Sequence, residues 1–238
     1  FTTLKQNIST LIKGVMSNFF EAVFFDMDGL MVDSEPEWLL SEIEVMAPFG
    51  YTWLEIDQVE CLGGPLSKVG QYMFEKCGQQ QSAEFFTQTL IDTQVARMRR
   101  STPTMPGAIE LVRELQSQGI KTAMVSASPR VIIDAVLDNL GHDLFPFSIS
   151  SNDVLETKPD PEGYLKAALM SGSDISNCLI LEDSLPGMKA AIASGAYLIG
   201  VPHLVSIAES ERVRVIKSLE QLSYSKLVKL KSDFSSAL

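Results

Sequence analysis

Apolar positions in this chain follow two rhythms. Short unbroken apolar runs read as strands buried on both faces, and longer stretches with apolar residues three and four apart read as helices. The runs are Ala22–Asp26 (AVFFD), Lys121–Ser126, Phe147–Ser151, Leu179–Glu182 and Ala196–Val201. Helical patterning precedes each of the last four: Ala108–Gln118 ending at Gly119, Ser128-Pro129 to about Leu140 before Gly141, Pro161–Ser171, and Pro186–Ala193. Between about residues 37 and 101 the pattern is helical, with Val69–Lys76 and Ala83–Arg99 the clearest pieces and Gly63-Gly64-Pro65 a turn. Ser34 reads as the N-cap of a helix through Trp38, Leu39, Ile43 and Met46, with Pro36 in its first turn and Glu37 completing a capping box. Strands alternating with helices predict an α/β fold, a doubly wound parallel sheet, interrupted after its first strand by a small all-helical cap domain. The boundaries read as an N-terminal extension over 1–18, a core over 19–34 and 103–238, and a cap over 35–102. The Lys/Ser-rich tail after about 225 is expected to fray.

Composition narrows the function. Hydrophobic residues make up 45% of the 238, enough for a sizeable core. Thirty acidic against 19 basic residues give a net charge of -11, which argues against nucleic-acid and anionic-membrane partners. A protein so acidic that handles phosphate needs a cation to offset the repulsion. Cys61, Cys77 and Cys178 are odd in number and widely spaced, so they read as free thiols in a reducing cytoplasm. His142 and His203 stand alone and are given no role. No apolar run reaches the roughly 18 residues a membrane span requires, and the first segment does not read as a signal peptide. A monomer is the default expectation.

Parallel sheets bind ligands beyond the carboxyl ends of their strands. The first strand delivers Asp26 and Asp28, with Gly29 following; the second delivers Ser126; the loop after the third delivers Lys158; the fourth delivers Glu182 and Asp183. Any one strand-end acid is as well explained as a cap for the next helix, but the whole set on one edge is not. These residue types suit one reaction. A carboxylate can attack phosphorus, and a second one two residues on can act as general acid and then base. The turn at Gly29 can offer backbone N–H groups to phosphoryl oxygens, and a hydroxyl and an ammonium can bind the others. Neighbouring acids suit an oxygen-liganded Mg²⁺.

The stretch Asp26-Met-Asp-Gly-Leu-Met-Val-Asp-Ser-Glu35 resembles the first motif of the haloacid dehalogenase superfamily. Ser126 in VSASP is similar to its second, Lys158 in TKPDPEGY to its third, and Glu182-Asp183-Ser-Leu-Pro-Gly to its fourth. The resemblance covers roughly residues 20–205 and rests on all four motifs in order. It implies that Asp26 is the nucleophile and Asp28 the general acid/base. It further implies that Met27, Gly29, Ser126, Ala127 and Lys158 surround the phosphoryl group. Asp26, the Asp28 carbonyl and Asp183 would hold Mg²⁺, with Glu182 in or beside the shell. A DxD motif with this fourth motif favours phosphoryl transfer over dehalogenation.

Within the superfamily, the helical insertion and the DSEPEW stretch are similar to the beta-phosphoglucomutase-like branch and its sugar-phosphate phosphatases. The mutase carries a His where this chain has Trp38, and a cap-loop Arg where this chain has Gly63 to Lys68. The lack of both counts against mutase activity. Lys68 is a candidate substrate contact from the cap, equally readable as a solvated helix-start lysine, and Trp38 and Trp53 read first as cap core. The reading is a Mg²⁺-dependent phosphatase of a small phosphorylated metabolite. A phosphomutase and a non-catalytic binding protein on the same scaffold are the alternatives.

Overall fold

The computed structural model describes residues 19–61, 65–202 and 207–236. The expected extension over 1–18, and Gly63, Gly64 and His203, lie outside them. Six strands form one parallel sheet: β1 Ala22–Phe25, β2 Lys121–Val125, β3 Ser148–Ile149, β4 Leu179–Glu182, β5 Tyr197–Gly200 and β6 Val213–Val215. Their order is β3-β2-β1-β4-β5-β6, and every pairing is parallel. The winding reverses between β1 and β4, so a crevice opens beyond the carboxyl ends of those two strands.

Alternation along the strands sorts the core into two layers. Val23, Phe25, Met124, Leu179, Leu181 and Ile199 face one side, with α5 (Ala108–Ser117), α6 (Arg130–Leu140) and α9 (Tyr224–Ser236). Ala22, Phe24, Ala123, Val125, Ile180 and Leu198 face the other, with α7 (Glu162–Ser171) and α8 (Leu185–Ser194). Burial on both faces explains why these strands are continuous apolar runs. Each fully buried Phe contributes about 2 to 3 kcal/mol of apolar burial.

Four helices fill the stretch after β1: α1 Glu35–Met46, α2 Glu55–Cys61, α3 Leu66–Lys76 and α4 Ala83–Arg100. They share a separate core that includes Val45, Met46, Trp53, Met73, Phe86 and Leu90. Gly70 allows α3 to lie against α4, since a Cβ there would sit 2.5 Å from the Ala83 carbonyl oxygen. Ser82 caps α4 by accepting the Phe85 N–H at 3.1 Å. Trp38 and Leu66 pack against both this cluster and the first core layer, so they sit at the seam between helices and sheet.

Three expectations change. The tail is not frayed over 224–236: it forms α9, which buries Leu227 and Phe234, seven residues apart on one helix face. The third strand shortens to Ser148–Ile149. Ser34 makes no side-chain cap to α1. Its backbone is already helical, with φ -92° and ψ -16° rather than the extended conformation of a cap, and its hydroxyl donates to the Asp28 carboxylate at 2.7 Å.

Candidate active site

The switch point places Asp26 and Glu182 side by side. Phe25 is in register with Leu181, and the Asp26 N–H continues the ladder to the Leu181 carbonyl at 3.1 Å. After Asp26 the chain turns tightly. The Met27 carbonyl accepts the N–H groups of Met31 and Val32 at 2.9 and 3.0 Å, and the Gly29 N–H donates to the Val32 carbonyl at 2.8 Å. The Gly29 N–H thus closes the turn. Gly29 matters in another way. Its φ is 75°, and a Cβ there would lie 2.2 Å from Asp183 Oδ2, so only glycine lets the two strand-end loops approach. The Met27 side chain is wholly buried in the core layer.

Lys158 reaches into the crevice from the loop ahead of α7. Its ammonium donates to Asp26 Oδ1, to Glu182 Oε1 at 2.7 Å and to the Val125 carbonyl at 2.8 Å. Glu182 is fully buried, and protein donors occupy both its oxygens. Oε1 also accepts the Tyr164 hydroxyl at 2.7 Å. Oε2 accepts the backbone N–H groups of Asp183 and Ser184 at 3.1 and 3.2 Å and the Ser184 hydroxyl at 3.1 Å.

Asp28 is ringed by donors. Ser34 Oγ donates to Oδ1 at 2.7 Å and Trp38 Nε1 to the same oxygen at 3.3 Å. Ser128 Oγ donates to Oδ2 at 2.7 Å, and Ser126 Oγ lies 3.4 Å from it. Ser126 Oγ in turn accepts the Ser128 N–H at 2.9 Å. Ala127, between them, is exposed. Lys68 stands apart from this group. It is exposed on the first turn of α3 and donates to the Glu60 carbonyl at 3.2 Å.

Charge accumulates on one side of the crevice. Burial first, then the Glu182 charge, push the Asp26 carboxyl up to about 8, against the pull of Lys158. Burial, then Asp26 and Glu182, push Asp183 up to about 9. Burial disfavours the Lys158 ammonium, but Asp26 and Glu182 outweigh it and hold the group above the ordinary lysine range. One ammonium thus faces three carboxyl groups. Oxygens of Asp26, Glu182 and Asp183 lie within 4.8 Å of one another, close enough to share a cation. Asp183 Oδ1 is buried with no hydrogen-bond partner among the described residues, which suits a metal ligand. An all-oxygen donor set fits a hard divalent ion.

Residues 20–195 match the haloacid dehalogenase-like hydrolases. The chain belongs to that family. Among curated members, hexitol phosphatase B of Escherichia coli (strain K12) is 32% identical over 184 residues, covering 76% of this chain and 83% of that protein. Two solved structures share the fold. CbbY from Rhodobacter sphaeroides, in complex with phosphate, superposes with a TM-score of 0.73 at 22% identity, covering 87% of this chain and 99% of that one. Beta-phosphoglucomutase from Clostridium difficile gives 0.73 at 21% identity, covering 92% and 98%.

Four residues enter the site that sequence reasoning placed elsewhere or passed over. Ser34 was readable as a helix cap and Trp38 as cap core. Ser128, two residues beyond Ser126, carried a usable signal, because alternate positions after a strand can face one way. Tyr164 carried none, since a buried tyrosine on a helix looks like packing until its hydroxyl partner is known.

Proposed function

We propose that this hydrolase is a Mg²⁺-dependent phosphatase that forms an aspartyl-phosphate on Asp26 while hydrolysing a small phosphorylated metabolite, a sugar or polyol phosphate. The observation that carries the reading is the Lys158 ammonium bridging Asp26 and Glu182 at the carboxyl end of β1. A buried cation already bound to the nucleophile's carboxylate is placed to receive a phosphoryl oxygen. Asp26 attacks phosphorus, and the ester oxygen leaves with the proton of Asp28. Asp28 then takes a proton from the water that attacks the phosphoenzyme, and Asp26 is regenerated. Ser126 and Lys158 hold the phosphoryl oxygens, with Met27 and Ala127 beside them. Asp26, the Asp28 carbonyl and Asp183 would hold Mg²⁺, with Glu182 behind them. When bound, the ion neutralises repulsion between the carboxylate nucleophile and the anionic ester.

On this reading residues 35–102 act as a cap over a core of 19–34 and 103–238, with Lys68 a cap contact to the substrate. The partner is a phosphate ester rather than nucleic acid or membrane, and the enzyme works as a cytoplasmic monomer. Among the described residues no helix is long and apolar enough to cross a membrane, and the three cysteines are buried free thiols.

The test is a panel of sugar, polyol and nucleotide monophosphates with Mg²⁺, scored for free phosphate, using wild type and Asp26→Asn. The expected result is release by wild type and a loss of at least about a thousand-fold in the variant, which keeps its fold. Residual Mg²⁺-dependent hydrolysis by Asp26→Asn would remove the nucleophile assignment. Isomerised sugar phosphate in place of free phosphate would make the protein a mutase.

A further inference from the structure

Tyr164 is among the largest side chains in the molecule with no solvent exposure. Its ring packs in the core layer with Val125, Ile149, Ile180 and Met188, a task phenylalanine would perform as well. The hydroxyl is what needs explaining, because a buried phenol must find a partner. It donates at 2.7 Å to Glu182 Oε1, the same oxygen that accepts Lys158. The Lys158 ammonium also lies 5.1 Å from the centroid of the Tyr164 ring.

The surroundings leave Glu182 little freedom. Its other oxygen is held by the Asp183–Ser184 turn. Gly187 of α8 walls the carboxylate in, since a Cβ there would lie 1.7 Å from Oε1. The three N–H bonds of Lys158 are matched by three acceptors: Asp26, Glu182 and the Val125 carbonyl. To bind a phosphoryl oxygen, the ammonium has to let one of them go. The Val125 carbonyl belongs to the sheet and cannot move. If Glu182 were loose, the ammonium could drag it along or trade it away.

Resting on the phosphatase reading above, we infer that Tyr164 is a positioning residue. It locks Glu182, so that an arriving phosphoryl group takes its N–H from the Asp26 link and frees the nucleophile's oxygen as it binds. No proton or electron is transferred to Tyr164, which acts only through Glu182.

The experiment compares wild type, Tyr164→Phe and Ala168→Gly for kcat and KM on the best ester of the panel, with Mg²⁺, and for inhibition by orthovanadate. Ala168 is buried on the same helix one turn on, and its methyl group has no polar atom to bond Glu182, Lys158 or Asp26, so it controls for loosening of α7. Tyr164→Phe removes one oxygen, and circular dichroism checks that it folds. The expected result is a fall of about ten-fold in kcat/KM and a matching weakening of orthovanadate inhibition in Tyr164→Phe. Ala168→Gly should lose thermal midpoint and keep both. Wild-type kinetics and inhibition in Tyr164→Phe overturn the inference alone. Equal kinetic losses in Ala168→Gly also overturn it, by reducing Tyr164 to a packing residue. A wild type that neither hydrolyses an ester nor responds to orthovanadate overturns the phosphatase reading, and this inference with it.

Discussion

The indole N–H of Trp38, on the first turn of α1, lies 3.3 Å from Asp28 Oδ1. It ties the helical insertion to the residue proposed as acid and base. Ser34, in the connection before α1, donates to the same oxygen at 2.7 Å. The opposite oxygen is held from the sheet side by Ser128. Asp28 is therefore fixed from both sides of the seam, and its aim depends on how the insertion sits.

Trp38→Phe keeps an aromatic ring between the two clusters and removes the N–H. At 3.3 Å this hydrogen bond is weak, so kcat should fall roughly five-fold with KM little changed. Ser128→Ala removes a shorter bond and should cost more. Steady-state kinetics on one ester ranks the two. Equal activity of Trp38→Phe and wild type would show that the indole packs without positioning Asp28.

Gly29→Ala inserts a methyl group 2.2 Å from Asp183 Oδ2 and forces an L-residue to a φ of 75°. The expected outcome is a stability loss of about 1 to 3 kcal/mol and Mg²⁺ affinity at least about ten-fold weaker. Calorimetric titration of Mg²⁺ in the absence of substrate measures the second effect without relying on turnover.

Lys158→Met leaves Asp26 and Glu182 buried with no counter-charge. Removing one partner of such a cluster costs about 3 to 5 kcal/mol. Turnover should vanish, and urea denaturation at neutral pH should reveal the stability loss. Saturating Mg²⁺ should recover part of it, because an ion that binds only the folded state adds stability by mass action.

Glu42 gives the insertion a pH dependence of its own. It is 4% exposed and accepts the Trp53 indole N–H at 2.8 Å. Burial, opposed by that bond and assisted by the charges of Glu35 and Asp57, pushes its carboxyl from 4.5 up to about 7. Between those values the native state keeps a proton that the unfolded chain has released. Folding is thus favoured most below pH 4.5, and the contribution is lost as pH rises through about 7. Glu42→Gln keeps an acceptor for Trp53 and removes the ionisation. At pH 8 the variant should be more stable than wild type by up to about 3 kcal/mol, and the gap should close towards pH 4.5. Thermal midpoints across that range give the answer, and parallel curves for the two proteins would contradict the assignment.

Much of this architecture is legible in the chain. β1, β2 and β4 are apolar on both faces, so their runs stand out, and the residues just beyond them are the polar ones that gather in the crevice. What escaped was set by partners distant in sequence. β6, at Val213–Val215, is a three-residue edge strand whose last two residues are only partly buried, too short for a periodic signal. Lysines and serines on the outer face of α9 hide the spacing of Leu227 and Phe234. Ser34 has the sequence context of a helix cap, yet its backbone is helical rather than extended, and its hydroxyl donates to the carboxylate six residues back. Tyr164 could be placed in the site only once its hydroxyl was seen to meet Glu182 at the end of β4.

The chain contains two tryptophans, and each points its indole N–H at a carboxylate: Trp38 at Asp28 in the crevice, Trp53 at Glu42 inside the helical insertion. The molecule therefore carries two intrinsic fluorophores that report on different events. With Trp53→Phe, emission comes from Trp38 alone, and occupancy of the crevice can be followed optically without a label. With Trp38→Phe, emission comes from Trp53 and follows the ionisation of Glu42, so one spectrum can be separated into a ligand signal and a pH signal.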